Sequence, residues 1–345
     1  MPIRTLIVDD SPAIQRLLKV VLEADDEIEV VGIASDPLEA RTLIKQLNPD
    51  VLTLDIEMPK MNGLDFLSKI MNLRPMPVVM ISSHTGKGAE MSVEALAQGA
   101  FCCLPKPRID NEAALKEICD MVKLAGRSGA SVRRNSGQAT KSSAEPVAQE
   151  AAPVKRGGDA ADLIVIGSST GGVEALTTLF STFPEDCPPT VVVQHMPGEF
   201  TRTFAKRLDG LCKPKVSEVQ NRGALERGNI YIAPGSVGHT TITNTDTLRA
   251  RVLPDEPIGG HIPAVDALFD SVSDELCTKV SAAILTGMGK DGAQGLLRLK
   301  NLGANTISQD EKTSLVFGMP AAAIKIGAAQ QVLPITKIAA ALVDG

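Results

Sequence analysis

Short, largely apolar runs alternating with amphipathic stretches constrain this chain more than any other feature. Between residues 3 and 124 the runs are 5–8, 28–33, 51–56, 78–81 and 100–104, with helix-like segments near 12–24, 37–47, 64–73, 87–98 and 111–124. A strand without a polar face must be covered on both sides. Alternation with helices supplies that cover, so the pattern predicts a five-stranded parallel sheet, doubly wound by five helices.

The pattern resumes at Asp162. Runs at 163–166, 190–193, 230–232, 240–243, 248–252, 282–285 and 306–308 alternate with helix-like segments near 172–183, 199–209, 265–276, 292–302, 319–326 and 335–343. This predicts a second, mainly parallel doubly wound α/β domain. The several short strands between 228 and 253, with no helix among them, predict an antiparallel hairpin attached to it. Between the two blocks, GRSGASVRRNSGQATKSSAEPVAQEAAPVKRGG is rich in Gly, Ser, Ala and Pro and has no large apolar side chain. It cannot bury enough surface to build a core and reads as a flexible linker. The expected domains are therefore 1–125, a linker at 126–159, and 160–345. A chain of 345 residues also exceeds what one core usually organises.

Composition narrows the function classes. Aromatic residues are 3% of the chain, with no Trp, which argues against a base-stacking nucleic-acid surface. A net charge of -6 gives no general attraction to DNA or anionic lipid, so neither nucleic acid nor direct membrane insertion is expected. The start, MPIRTLIVDD, reads as neither a signal peptide nor a span, and no apolar stretch reaches 18 residues. Cys102, Cys103, Cys119, Cys187, Cys212 and Cys277 show no CxxC spacing and read as buried thiols in a reducing, cytoplasmic setting. Oligomeric state is not legible; a monomer is the default.

Four expected strand ends carry chemistry in the first block. Asp9 and Asp10 follow the first strand, Asp55 the third, Ser82 the fourth and Lys106 the fifth. Open parallel sheets bind ligands at such ends. Clustered carboxylates suit Mg²⁺, with Asp10 and Asp55 as ligands, Asp9 acting through water and the Glu57 backbone carbonyl adding an oxygen. Asp55 is then a nucleophile for a phosphoryl group, with Lys106 and Ser82 contacting its oxygens. A capping role for Asp9–Asp10 alone explains only the first of these positions. VDDSP, LDIEMPKMNGLDFL, VVMISS and Lys106-Pro107 resemble the receiver domain of two-component response regulators. Receivers usually carry Phe or Tyr three residues before the lysine, where this chain has Cys103.

In the second block, Gly167-Ser168-Ser169-Thr170-Gly171 fits G-x-S-x-G between a strand and a helix. Such a turn exposes a serine at the top of a sheet. A phosphate-binding glycine loop is the competing reading, although GxxxxGK[ST] is absent. His195 ends the next strand, and sequential parallel strands are usually neighbours, so it is the candidate general base for Ser169. His84 lies in the first block, and His239 and His261 sit in strand-start and loop positions. Asp291, beyond the run 282–285 and flanked by Gly289 and Gly292, is the candidate carboxylate. It could instead cap the helix that follows.

GSSTGG, VVVQHMP, TGMGKDG and SQDEKTSLVFGMP, in that order, resemble the catalytic domain of the CheB-type chemotaxis protein-glutamate methylesterases. The resemblance implies Ser169 as nucleophile, His195 as base, Asp291 as the group orienting it, Thr170 as support and the Met288 N–H at the oxyanion. It implies hydrolysis of γ-methyl esters on chemoreceptor glutamates, with glutamine deamidation, no cofactor for the ester chemistry, methylated receptor helices as substrate and a chemotaxis histidine kinase as phosphodonor. Ile262-Pro263-Ala264-Val265-Asp266 stands where the family often reads Arg-Pro-Ser-Val-Asp. Two other classes compete: a receiver regulating a partner through an inactive α/β domain, which the Ser/His/Asp set argues against, and a DNA-binding regulator, for which no helix-turn-helix pattern exists.

Overall fold

The computed structural model describes residues 1–58, 61–82, 86–107, 111–139, 161–244 and 247–344. His84 and residues 140–159 of the expected linker lie outside them. The chain divides into two compact units, Met1–Val147 and Ala148–Gly345.

The first unit contains β1 (Ile3–Val8), α1 (Pro12–Glu23), β2 (Ile28–Ala34), α2 (Pro37–Leu47), β3 (Val51–Asp55), α3 (Gly63–Leu73), β4 (Val78–Ser82), α4 (Gly86–Ala97), β5 (Cys102–Pro105) and α5 (Glu112–Ala139). The five strands are parallel in the order β2-β1-β3-β4-β5. Leu6, Val8, Leu52, Leu54, Val78 and Met80 point to one face, against Ile44, Phe66 and Leu67 of the helices. Asp36 caps α2 by accepting from the Leu38 and Glu39 amides, and Asn62 caps α3 through the Asp65 amide. The order reverses between β1 and β3, so a crevice opens past their carboxyl ends.

One expectation needs correction. α5 does not stop near 124 but continues to Ala139, through the first part of the expected linker. Its buried residues Ile118, Val122 and Ala125 anchor a helix already nucleated. Propagation then adds one hydrogen bond per residue at little cost. Lack of large apolar side chains forbids a core; it does not forbid helix.

The second unit holds β6 (Leu163–Ser168), α6 (Gly172–Phe180), β7 (Thr190–Gln194), α7 (Gly198–Asp209), β8 (Lys215–Glu218), β9 (Gly223–Ala224), β10 (Asn229–Ile232), β11 (His239–Asn244), β12 (Leu248–Leu253), α8 (Val265–Asp270), β13 (Val280–Ile284), α9 (Ala293–Asn301), β14 (Asn305–Gln309), α10 (Met319–Lys325), β15 (Gln331–Leu333) and α11 (Ile335–Val343). Seven strands form a parallel sheet in the order β15-β14-β13-β6-β7-β10-β8. β11 and β12 form the expected hairpin. It pairs with β9 as a separate three-stranded antiparallel sheet. β8, β9 and β15, of two to four residues each, are absent from the sequence reading. α8 ends at Asp270 rather than 276, where the Ser271 hydroxyl accepts the Ile242 amide of β11 at 2.8 Å. The switch point lies between β6 and β13. Among the described residues no helix is long and apolar enough to cross a membrane.

Candidate active site

Each unit presents a chemical cluster at its own switch point. In the first, Asp9, Asp10 and Asp55 offer carboxylate oxygens all within 4.8 Å of one another. Lys106 Nζ lies 2.7 Å from Asp55 Oδ2 and 3.5 Å from Asp9 Oδ2. The Lys106 amide donates to the Ser82 carbonyl at 2.8 Å, which holds β4 and β5 together beside the carboxylates. Burial, helped by the neighbouring Asp9 charge, pushes Asp55 up to about 6 against the pull of Lys106. Burial also raises Asp9. Burial works against the Lys106 ammonium, but Asp55 and Asp9 outweigh it and hold it above its ordinary value. The Glu57 amide donates to Asp55 Oδ1 at 3.2 Å. Cys103 is half-buried and its thiol donates to the Ser92 carbonyl at 3.3 Å, so a small, inward-bonded side chain occupies the position expected for an aromatic ring.

The donor set fits a small hard cation. Asp9 Oδ2 is buried with only the long Lys106 ion pair at 3.5 Å and no hydrogen bond, and one ammonium leaves three carboxylates held this close with excess negative charge.

In the second unit β6 pairs with β7 up to Ser168 and Gln194. Ser169 and His195 are the next residue on each strand, and the His195 amide donates to the Ser168 carbonyl at 3.0 Å. The two serines face different surroundings. Ser168 is fully buried and donates to Gln194 Oε1 at 2.7 Å, whereas Ser169 is partly exposed and its hydroxyl has no partner among the described residues. Gly171, at φ +81, makes the turn into α6. Gly287, after β13, passes so close that a β-carbon there would sit 2.7 Å from Ser169 Cβ.

His195 Nε2 lies 2.8 Å from Asp291 Oδ2, with both side chains buried. Its Nδ1 is also buried and has no partner. In its neutral form an imidazole so placed carries its proton on Nε2 toward the carboxylate and keeps a lone pair on Nδ1. Asp291 does not cap α9, whose N-cap is Gly292. It accepts instead from the first amides of α8: Val265 to Oδ2 at 2.7 Å and Asp266 to Oδ1 at 3.0 Å. Burial alone would raise this carboxyl, but the His195 bond and these two amides hold it below the usual range. The segment that departs from the family's Arg-Pro-Ser-Val-Asp thus serves the site through its backbone.

Thr170 and Met288 amides donate to nothing among the described residues, and the Thr170 carbonyl is held by Thr286 Oγ1 at 2.9 Å. Three partners escaped the sequence reading. His261 stacks on His195, with centroids 3.8 Å apart and planes within 7°. Burial, and then the nearby His195, lower its pKa, which favours the uncharged ring beside His195. Gln194 Nε2 donates to the carbonyls of Ser169, at 2.9 Å, and His195, at 3.1 Å, tying the two loops together. His239 Nδ1 accepts the Ala264 amide at 3.0 Å. A Gln before the strand-end His was the one local signal available for these.

Comparison with known proteins agrees with this division. The family model described as CheB methylesterase matches residues 164–342, and that of the response regulator receiver domain matches residues 5–119. A protein-glutamate methylesterase/protein-glutamine glutaminase of Agrobacterium fabrum is 48% identical over 335 residues, 97% of this chain and 94% of the relative. One from Caulobacter vibrioides is 49% identical over 346 residues, 99% of this chain and 97% of the relative. The crystal structure of the Thermotoga maritima CheB methylesterase catalytic domain superposes with a TM-score of 0.52 at 37% identity, covering 53% of this chain and 98% of that domain.

Proposed function

This chain belongs to the CheB methylesterase family, with a receiver domain ahead of the esterase domain, and from that premise we propose that it is a phosphorylation-controlled protein-glutamate methylesterase. It removes methyl esters from glutamate side chains of chemoreceptors in the cytoplasm, and deamidates glutamines by the same acyl transfer, for sensory adaptation. The observation that carries this reading is the buried His195–Asp291 pair, with Nδ1 free, one residue past the strand pairing that also delivers Ser169.

Ser169 Oγ attacks the ester carbonyl as His195 Nδ1 takes its proton. Asp291, through Nε2–H, holds the tautomer that leaves Nδ1 basic and stabilises the imidazolium as it forms. The two ring nitrogens thus exchange the roles they have in chymotrypsin. The Thr170 and Met288 amides receive the oxyanion, each such donor being worth about 3–4 kcal/mol. His195 returns the proton to the leaving oxygen, releasing methanol. It then deprotonates the water that splits the acyl-serine. The absence of a Ser169–His195 hydrogen bond is ordinary for a free enzyme, where such contacts tighten on substrate binding.

In the receiver, Asp55 is the phosphoryl acceptor and a histidine kinase the donor. Asp9, Asp10, Asp55 and the Glu57 carbonyl would hold Mg²⁺, which when bound screens the carboxylates from the incoming phosphoryl oxygens. Lys106 leaves Asp55 to pair with the phosphoryl group, and Ser82 follows it. Methanol release from methylated receptor membranes, measured with and without a small-molecule phosphodonor, tests the whole reading. Release that rises with phosphodonor is expected; none under either condition overturns it.

A further inference from the structure

The three-stranded sheet of the second unit carries a face that the ester chemistry does not use. On β12, Ala250 and Val252 are buried in the core, and on β11 so are Thr240 and Ile242. Alternation therefore turns Arg249, Arg251, Thr241 and Thr243 to the opposite side. The register sets Thr241 against Arg251 and Thr243 against Arg249. Arg222, just before β9, joins them: its amide donates to the Ala250 carbonyl at 2.8 Å, and Arg249 Nη1 donates to the Arg222 carbonyl at 3.1 Å. Arg222, Thr243, Arg249 and Arg251 line one open cavity of about 410 Å³. Arg222 is held there at φ +64, a conformation that a residue with a β-carbon rarely adopts.

Among the described residues none of these three guanidinium groups pairs with a carboxylate. Elsewhere in the same unit Arg202 and Arg298 each have an acidic partner. In a chain of net charge -6, three converging arginines with no carboxylate partner among the described residues stand out as a cluster of one sign.

The hairpin that carries this face is tied to the candidate active site through its first residue. β11 begins at His239, whose Nδ1 accepts the Ala264 amide, and the next two amides of that segment hold Asp291. At a rise of about 3.4 Å per residue, the Arg251 and Arg249 pairings lie roughly 7 and 14 Å along the hairpin from His239.

We propose that this face is a docking track for an acidic stretch of polypeptide: the part of the substrate protein flanking the ester-bearing glutamate. The inference rests on the methylesterase reading. The occupant is a polypeptide rather than a small anion because Arg222 and Arg249 are exposed and spread from the turn before β9 onto β12. The ladder also consumes the local backbone amides that a phosphate nest would need. Each hydrolysis leaves a new carboxylate on the substrate, so a segment carrying several such glutamates fits the track better as it is processed.

The test uses the full chain with phosphodonor and compares wild type with the double variant Arg249→Gln/Arg251→Gln. Two substrates are compared: methylated receptor membranes and a small neutral γ-methyl glutamate ester. On membranes KM should rise about tenfold with kcat unchanged, as loss of rim charges predicts. Hydrolysis of the small ester should not change. The salt sensitivity of kcat/KM between about 50 and 200 mM should flatten, and Arg249→Lys/Arg251→Lys should restore most of the affinity. An unchanged KM and salt slope on membranes overturns the track. Equal loss on the small ester also overturns it, because the damage then lies in the site. Competition by inorganic phosphate in wild type alone, with the membrane KM unmoved, makes this a small-anion site instead. If wild type releases methanol from neither substrate, the functional reading falls. The face is then judged by a fluorescein-labelled glutamate-rich peptide, whose binding should weaken at least about fivefold in the double variant; equal binding overturns the proposal.

Discussion

Replacing Asp291 by Asn probes the site where geometry and chemistry are most tightly coupled. The carboxylate accepts three hydrogen bonds: Oδ2 takes His195 Nε2 and the Val265 amide, and Oδ1 takes the Asp266 amide. Asparagine offers one oxygen and one NH₂. With its oxygen toward His195, the NH₂ faces the Asp266 N–H, leaving a buried donor unmet at a cost of about 1–3 kcal/mol. At roughly 2–4 °C per kcal/mol for a unit of this size, Tm falls by about 2–12 °C and the fold survives. With the NH₂ toward His195, the ring must turn Nε2 into the acceptor and carry its proton on Nδ1, where it cannot receive one from Ser169. Either way the charge that stabilises the imidazolium is gone. A drop in kcat of about 10⁴ follows, the scale seen when a triad aspartate becomes asparagine. Methanol release from methylated receptor membranes, with circular dichroism melting of the same samples, separates the two effects. A folded Asp291→Asn protein turning over within tenfold of wild type would refute the argument.

Other substitutions give sharp contrasts. Ser169→Ala should abolish methanol release to within background, while Ser168→Ala, which loses only the bond to Gln194 Oε1, should keep measurable turnover; the reverse result would place the nucleophile at Ser168. His261→Phe should preserve the stack on His195 and most of kcat. His261→Ala should lose about two- to tenfold, the worth of a ring pair, and equal rates in the two variants would remove the stack from the mechanism. Acetyl phosphate with Mg²⁺ should label the chain once, at Asp55, as a hydroxylamine-labile acyl phosphate. Label that persists at the wild-type rate in Asp55→Asn would move the acceptor elsewhere.

Both open sheets are legible from the chain because strand and helix periods are local properties. Where an apolar run stops, a strand's carboxyl end is located, and the residues standing there, Asp9, Asp55, Ser82, Lys106, Ser169 and His195, can be named without coordinates. Elements too short to show a period were not legible. β8, β9 and β15 have two to four residues each, and their pairing is decided by what lies beside them. The extension of α5 escaped for the opposite reason: composition reports whether a segment can build a core, not whether a neighbouring helix can run on through it.

What the sequence determined by itself is thus which side chains stand at the ends of strands. What only the tertiary structure decided is what those side chains face. His195 and Asp291 are 96 residues apart, and their bond exists because β7 and β13 flank β6. The amides of α8 on Asp291, the His261 ring on His195 and the arginine face of β12 belong to segments folded over from elsewhere. Contacts of this kind come from the packing of whole layers against one another, and residue spacing along the chain carries no record of which layers will meet.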